Sequence, residues 1–150
     1  MRSMIQKQLY APPMPKNILI DLNVIVDVLL DRKGAEASTS ILELGENNNF
    51  SLYVSAHMVT TFAYILESAK VPGAKVLQHI HWLLETFIVV PVDGVLLKNA
   101  LKSHIKDYED AVAERAALVC RASAIITRNG KDFVASTIPV FSPEEYLQQY

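Results

Sequence analysis

Residues 17–30, NILIDLNVIVDVLL, are apolar after the first residue except at Asp21, Asn23 and Asp27. An unpaired carboxylate is costly to take out of water, so two acids and an amide in such a run need partners. The opening NILID suits a short strand, because a parallel strand covered by helices on both faces reads as one continuous apolar run. The continuation NVIVDVLLD lacks two-residue alternation, and Asp27 follows Asn23 by four. The chain therefore turns from strand directly into helix near Leu22, with Asp21 at the junction.

The same joint recurs downstream. FSLYVS alternates as a strand does and leads into AHMVTTFAYILESAK, whose apolar positions Met58, Val59, Phe62, Ile65 and Leu66 follow helical spacing and stop before Pro72. KGAEASTSILELGENNN reads as a helix closed by Gly45 and an asparagine run, and GAKVLQHIHWLLETF as an amphipathic helix before the strand IVVPV. Asp93 begins a helix to about His104, and Asp107 begins one to about Ala122. AIIT and IPVF are short strands, and SPEEYLQQY opens with Ser142, Pro143 and Glu145 in a capping-box pattern. Residues 1–16, with three prolines and little periodicity, read as an extended arm before one domain at 17–150. Strands alternating with helices predict an α/β fold with a mainly parallel sheet covered on both faces.

Composition excludes several classes. With 150 residues, 51% hydrophobic and 20% charged, the chain is long and apolar enough for one globular core, which argues against disorder. No apolar run reaches the roughly 18 residues of a membrane span. The first sixteen residues lack the continuous apolar core of a signal peptide. A single cysteine, Cys120, rules out an internal disulfide and fits a reducing, cytoplasmic setting. A net charge of −2 gives no overall basic field for binding DNA, yet leaves room for an enzyme that meets phosphates through cations.

In open parallel sheets, ligands bind beyond the carboxyl ends of the strands. Asp21 ends the first strand there. TRNGKDF, after AIIT, supplies Thr127, Arg128, Asn129 and Asp132, and DYEDA, opening the preceding helix, supplies Asp107, Glu109 and Asp110. Carboxylates meeting in one cleft repel one another unless protons or cations compensate. An all-oxygen set selects a hard ion, Mg²⁺ or Mn²⁺, and the four histidines show no zinc-ligand spacing. Such a site can activate water for in-line displacement at a phosphate.

LIDLNVIVDVLL, DYEDAVAERAA and IITRNGKDF, in that order and spacing, resemble the three signature segments of PIN domains: D-x-N-hydrophobic, D-[FY]-x-D-A and T-R-N-x-x-D-F. The resemblance covers about residues 17–141. It implies a three-layer α/β/α sandwich of about five strands and metal-dependent ribonuclease chemistry. It further implies a homodimer and, in many bacterial members, a toxin paired with an antitoxin protein. By position, Asp21, Asp110 and Asp132 match the metal-binding acids. Asn23 matches the amide that orients Asp21, and Thr127 and Asn129 the polar residues that support the site or touch phosphate. Arg128 and Lys131 are candidates for contact with RNA phosphate. One departure stands out: Thr61 occupies the place of a frequent family glutamate. Glu67, six residues further along the same helix, faces elsewhere and cannot replace it.

Plainer roles compete for several of these residues. Asp21 can cap the first helix and Asp107 can cap the helix it begins. Asp27 can support Asn23 or pair with Arg32. The stripe around Trp82 and Phe87 reads as core or dimer surface. The leading expectation is a cytoplasmic Mg²⁺- or Mn²⁺-dependent endoribonuclease. The alternative is a non-catalytic PIN-like module that binds RNA or protein through a depleted site. An aspartyl phosphatase is disfavoured, because this chain has Asp21-Leu22-Asn23 where such enzymes show D-x-D.

Overall fold

The computed structural model describes residues 14–149; the proline-rich arm expectation falls largely on residues 1–13, outside that range. The first strand, β1 (Lys16–Ile20), starts one residue inside the segment read as arm. It turns through Asp21 into α1 (Leu22–Leu29), and α2 (Ala35–Glu43) follows. β2 (Phe50–Ser55) leads directly into α3 (Ala56–Ser68), then α4 (Gly73–Thr86) and β3 (Ile88–Val90). Two further helices, α5 (Gly94–Ala100) and α6 (Tyr108–Val119), precede β4 (Ala124–Ile126). A 3₁₀ turn at Gly130–Phe133 leads to β5 (Val140–Phe141) and α7 (Pro143–Leu147).

The five strands pair in the order β3-β2-β1-β4-β5, all parallel. The chain steps from β1 outward to β3 and then returns to the other side of β1. With right-handed crossovers this reversal sends α5 and α6 to the opposite face from α1–α4. The contacts agree: α1 packs on α2 and α3, α3 on α4 and α7 on α2, while α5 packs on α6. The three-layer α/β/α sandwich expected from the sequence is the fold observed.

β1 is the central strand, and its Ile18, Leu19 and Ile20 are fully buried. Each such side chain contributes about 1.5–3 kcal/mol on leaving water, which explains the uninterrupted apolar run. α6 meets the sheet through small residues, Ala111, Ala113, Ala116 and Ala117, all buried, so its backbone lies close to β2 and β4. That close approach carries the N-terminal end of α6 to the sheet edge where Asp21 lies. Two helices are shorter than their sequence patterns suggested. α5 ends at Ala100, because residues 101–106 turn to bury Ile105, and α6 ends at Val119, before Arg121 takes a left-handed φ of 54°. The Ser142 capping box is present as read, and Trp82 lies half-buried, edge-on to Phe87 at 6.1 Å.

Candidate active site

The register places Leu19 beside Tyr53 and Ile20 beside Ile126, so Asp21, Ser55 and Thr127 emerge together at the carboxyl edge of the three central strands. At this edge Asp21 borders a cleft of about 390 Å³. Its walls are Asp21, Asn23 and Arg32 from the α1 side, Thr61 from α3, Asp107, Glu109 and Asp110 from the start of α6, and Asn129.

Asp21 is held on both oxygens. Its Oδ1 accepts from the Leu22 N–H at 2.8 Å, and its Oδ2 accepts from the Thr127 hydroxyl at 2.6 Å. It therefore caps α1 and lines the cleft at the same time. Thr127, fully buried, donates that one hydrogen while its oxygen accepts from Asn23 Nδ2 at 3.4 Å and the Asn129 N–H at 3.0 Å. One donor and two acceptor sites exhaust a hydroxyl. Thr127 thus supports Asp21 and has nothing left for a phosphate. Asn23 acts on Asp21 only through Thr127, and its Oδ1 accepts from the Arg128 N–H at 3.1 Å.

The electrostatics record the crowding of acids. Burial pushes the Asp21 carboxyl up; hydrogen bonds from Thr127 and Leu22 oppose it, and the charges of Glu109 and Asp132 add to it. Asp110 is pushed up to about 7, chiefly by burial and then by Asp21, Asp107, Asp132 and Glu109. Asp107 caps α6 as expected, accepting from the Asp110 N–H at 3.1 Å. Asp132 borders the neighbouring cavity rather than this cleft, and reaches Asp21 and Asp110 through its charge.

Thr61 lies in the cleft wall, where the resemblance placed it. Its hydroxyl donates back to the His57 carbonyl at 3.2 Å. Glu67 is exposed and absent from that wall. His57 sits one turn before Thr61, with Nδ1 2.6 Å from the Ser55 hydroxyl and its buried Nε2 unpartnered among the described residues. Burial pushes its imidazole pKa down, and the charge of Glu109 opposes this.

Arg128 departs from expectation. Its Nε donates to Asp27 at 2.9 Å, its Nη1 to both Glu144 oxygens at 2.7 and 2.6 Å, and its Nη2 to the Gly34 carbonyl at 2.6 Å and Ser38 at 3.0 Å. All five N–H donors are engaged, so the phosphate contact expected of Arg128 has no donor available. Instead it clamps α1, α2 and α7 to the loop after β4. Asp27 is buried by that pairing, not by one with Arg32. Arg32, which that pairing releases, stands in the cleft wall and was missed as a site residue.

The donor chemistry suits a hard divalent cation: oxygen ligands only, and mutually repelling carboxylates that a cation relieves. Among the described residues, no three Asp, Glu, His or Cys side chains stand close enough to hold an ion together. Asp21 and Asp110 share one cleft, with Asp132 one cavity away.

Acids gathered beyond the carboxyl ends of a doubly wound parallel sheet define an α/β protein with a carboxylate cleft at its topological switch point. The model of the PIN domain family matches residues 17–131, well over half of the chain. The chain belongs to the PIN domain family. Among solved structures it is similar to FitAB bound to a DNA fragment, at 20% identity and TM-score 0.66, covering 84% of this chain and 94% of that one. It is also similar to a toxin–antitoxin complex from Klebsiella pneumoniae, at 22% identity and TM-score 0.63, over 84% and 97% of the two chains. FitAcB from Neisseria gonorrhoeae, at 23% identity and TM-score 0.60, matches over 85% and 98%. At these identities the likeness establishes the fold. No curated protein matches significantly.

Proposed function

We propose that the protein is a Mg²⁺- or Mn²⁺-dependent endoribonuclease. The observation that carries the reading is the partly exposed Asp110 carboxyl, pushed up to about 7 in a cleft shared with Asp21, Glu109 and Asp107. Like charges held together at such a cost mark a site built for a counter-charge. Asp21 and Asp110, which share the cleft, would hold the cation, and Asp132, expected as the third acid, would act on it from one cavity away. A divalent cation held there supplies Lewis-acid chemistry at the scissile phosphate.

This chain's own residues do the positioning. The hydrogen bonds of Thr127 and Leu22 keep Asp21 oriented and favour its ionised form against burial. Asn23 and the Asn129 N–H fix the Thr127 hydroxyl, so its single hydrogen points at Asp21. Arg32 offers a cation at the cleft wall for a non-bridging phosphate oxygen, the part first given to Arg128. Lys131 remains a candidate for substrate contact. RNA as substrate rests on the family expectation.

The toxin–antitoxin complexes among the fold's relatives support a protein antitoxin as partner. The homodimer expected of the family would have an exposed apolar surface available on α3 and α4 at Tyr64, Leu77 and Leu84. No helix among the described residues is long and apolar enough to cross a membrane, and a cytoplasmic location belongs to the proposal.

Asp21→Asn and Asp110→Asn should each abolish Mn²⁺-dependent cleavage of single-stranded RNA, with circular dichroism unchanged. Cleavage retained by the double variant refutes the assignment. Thr61 and the open spacing of the acids favour the second reading, a non-catalytic module. It predicts no heat on titration with millimolar Mn²⁺ while RNA binding persists.

A further inference from the structure

Beyond the acidic cleft lies a second cavity, of about 390 Å³, which shares Asp107 with it. His104, Ile105, Lys106, Lys131, Asp132, Val134 and Ala135 complete its lining. It opens in turn, across Lys131 and Val134, toward a larger cavity of about 620 Å³ beside β5. The three hollows form a band around the 3₁₀ turn at Gly130–Phe133.

The middle cavity is built. One wall is the loop of residues 101–107 and the other is the segment of residues 131–137. A single buried carboxylate ties them together: Glu114 on α6 accepts from the Ser103 hydroxyl at 2.9 Å and from the Thr137 N–H at 2.9 Å. Ser103 in turn accepts from the Ile105 N–H at 3.1 Å, and Ile105 is buried. Ile105 thus anchors the loop between His104 and Lys106, whose side chains stay exposed.

Charge divides across this cavity. Asp107 belongs to the cleft as well, and Asp132 acts on Asp21 and Asp110, so the acids lie on the cleft side. His104, Lys106 and Lys131 bring the polar and cationic groups. Unlike Arg128, none of the three makes a side-chain hydrogen bond or ion pair within the described residues. Ile105, Val134 and Ala135 add apolar surface, and Val134 is 84% exposed. Free cations beside an apolar floor match a nucleotide: phosphate for the former, a base or sugar face for the latter.

We infer that this cavity is a subsite for the nucleotide next to the scissile phosphate of single-stranded RNA, with Lys106, Lys131 and His104 taking its phosphate. The inference rests on the nuclease reading. Through it the polyanionic strand would be held beside an acidic cleft that would otherwise repel it.

The test uses the full chain with EDTA, which prevents cleavage, and fluorescein-labelled oligouridylate of about 10 nucleotides in fluorescence anisotropy. Lys106→Ala/Lys131→Ala should weaken binding about 10-fold. The slope of log K against log salt should become shallower by about 1.4, the value for two phosphate contacts on a single strand. His104→Ala should weaken binding by a smaller factor. Lys75→Ala/Lys98→Ala, two exposed lysines away from the band, should change neither quantity. The subsite is overturned if the Lys106/Lys131 pair leaves affinity and slope unchanged, which would give the cavity to a protein ligand. It is overturned equally if both lysine pairs weaken binding alike, which would make the effect one of net charge. Either outcome with wild-type cleavage intact refutes the subsite alone. A wild-type protein that neither binds nor cuts RNA refutes the nuclease reading with it.

Discussion

Asp110→Asn should stabilise the metal-free protein while destroying its proposed activity. The Asp110 carboxyl rises from 3.8 to about 7, with burial as the largest cause and four neighbouring acids adding to it. Between those values the folded state holds more protons than the unfolded state, so stability falls as pH rises from about 4 to about 7. Roughly three units at 1.36 kcal/mol each would be about 4 kcal/mol. Asp110 is partly exposed, and solvent screening reduces that to about 1–2 kcal/mol. The carboxylate also sits in the first turn of α6, where the helix N-terminus favours it by about 0.5 kcal/mol, a gain asparagine forgoes. The net benefit of Asn at pH 8 is about 1 kcal/mol, or about 2–4 °C in melting temperature for a domain of this size. Thermal unfolding in EDTA across pH 5–8 measures it. Wild type should lose stability as pH rises, and the advantage of Asp110→Asn should grow from about a third of its full value at pH 5, where the unfolded carboxyl is already ionised and the folded one is not, to its full value at pH 8. Asp21, raised as well, leaves the variant a smaller slope of the same sign. A variant less stable than wild type at pH 8, or a wild-type melting temperature flat over this range, would refute the electrostatic account of the cleft.

Two further perturbations probe the remaining departures. Thr61→Glu adds a carboxylate to the cleft wall and should tighten Mn²⁺ binding about 10-fold by calorimetry, since ligand charge tunes hard-cation affinity; unchanged affinity would mean that position 61 does not face the ion. Arg128→Lys cannot reproduce five donors in a fork, and should cost about 2 kcal/mol in urea unfolding without weakening RNA binding. A loss of RNA affinity with stability intact would return Arg128 to the substrate.

The fold was legible because its central strands carry plain patterns. A strand buried on both faces must be continuously apolar, and a parallel sheet must interpose helices, so ILI and AII announced central strands, while FSLYVS announced itself by alternation. Helix ends were less legible. The α5 pattern continues past Ala100 in sequence, but burial of Ile105 bends the chain, and that demand comes from the other side of the molecule. Asp21, Asp110 and Thr61 were located by motif, yet their division of labour was not. A sequence does not say which of two arginines, Arg32 or Arg128, finds acids in the fold. Here Asp27 and Glu144 bring their carboxylates to Arg128 from α1 and α7, and Arg32 is left to the cleft.

The oddity that exposed Asp21, an acid among apolar residues, also occurs at Glu114, between Ala113 and Arg115 with Ala111, Ala116 and Ala117 nearby. The two acids resolve the same cost of burial in opposite ways. Glu114 meets it with protein donors, a hydroxyl and a backbone N–H from two loops, and so becomes part of the scaffold. Asp21 receives comparable bonds from Thr127 and Leu22, but the charges of Glu109 and Asp132 raise its pKa, and among the described residues Arg32 is the one cation in the cleft wall. An acid fully answered by the protein is structural. One left with uncompensated neighbours of its own sign calls for a ligand, and that difference, visible only after folding, separates two residues that look alike in the sequence.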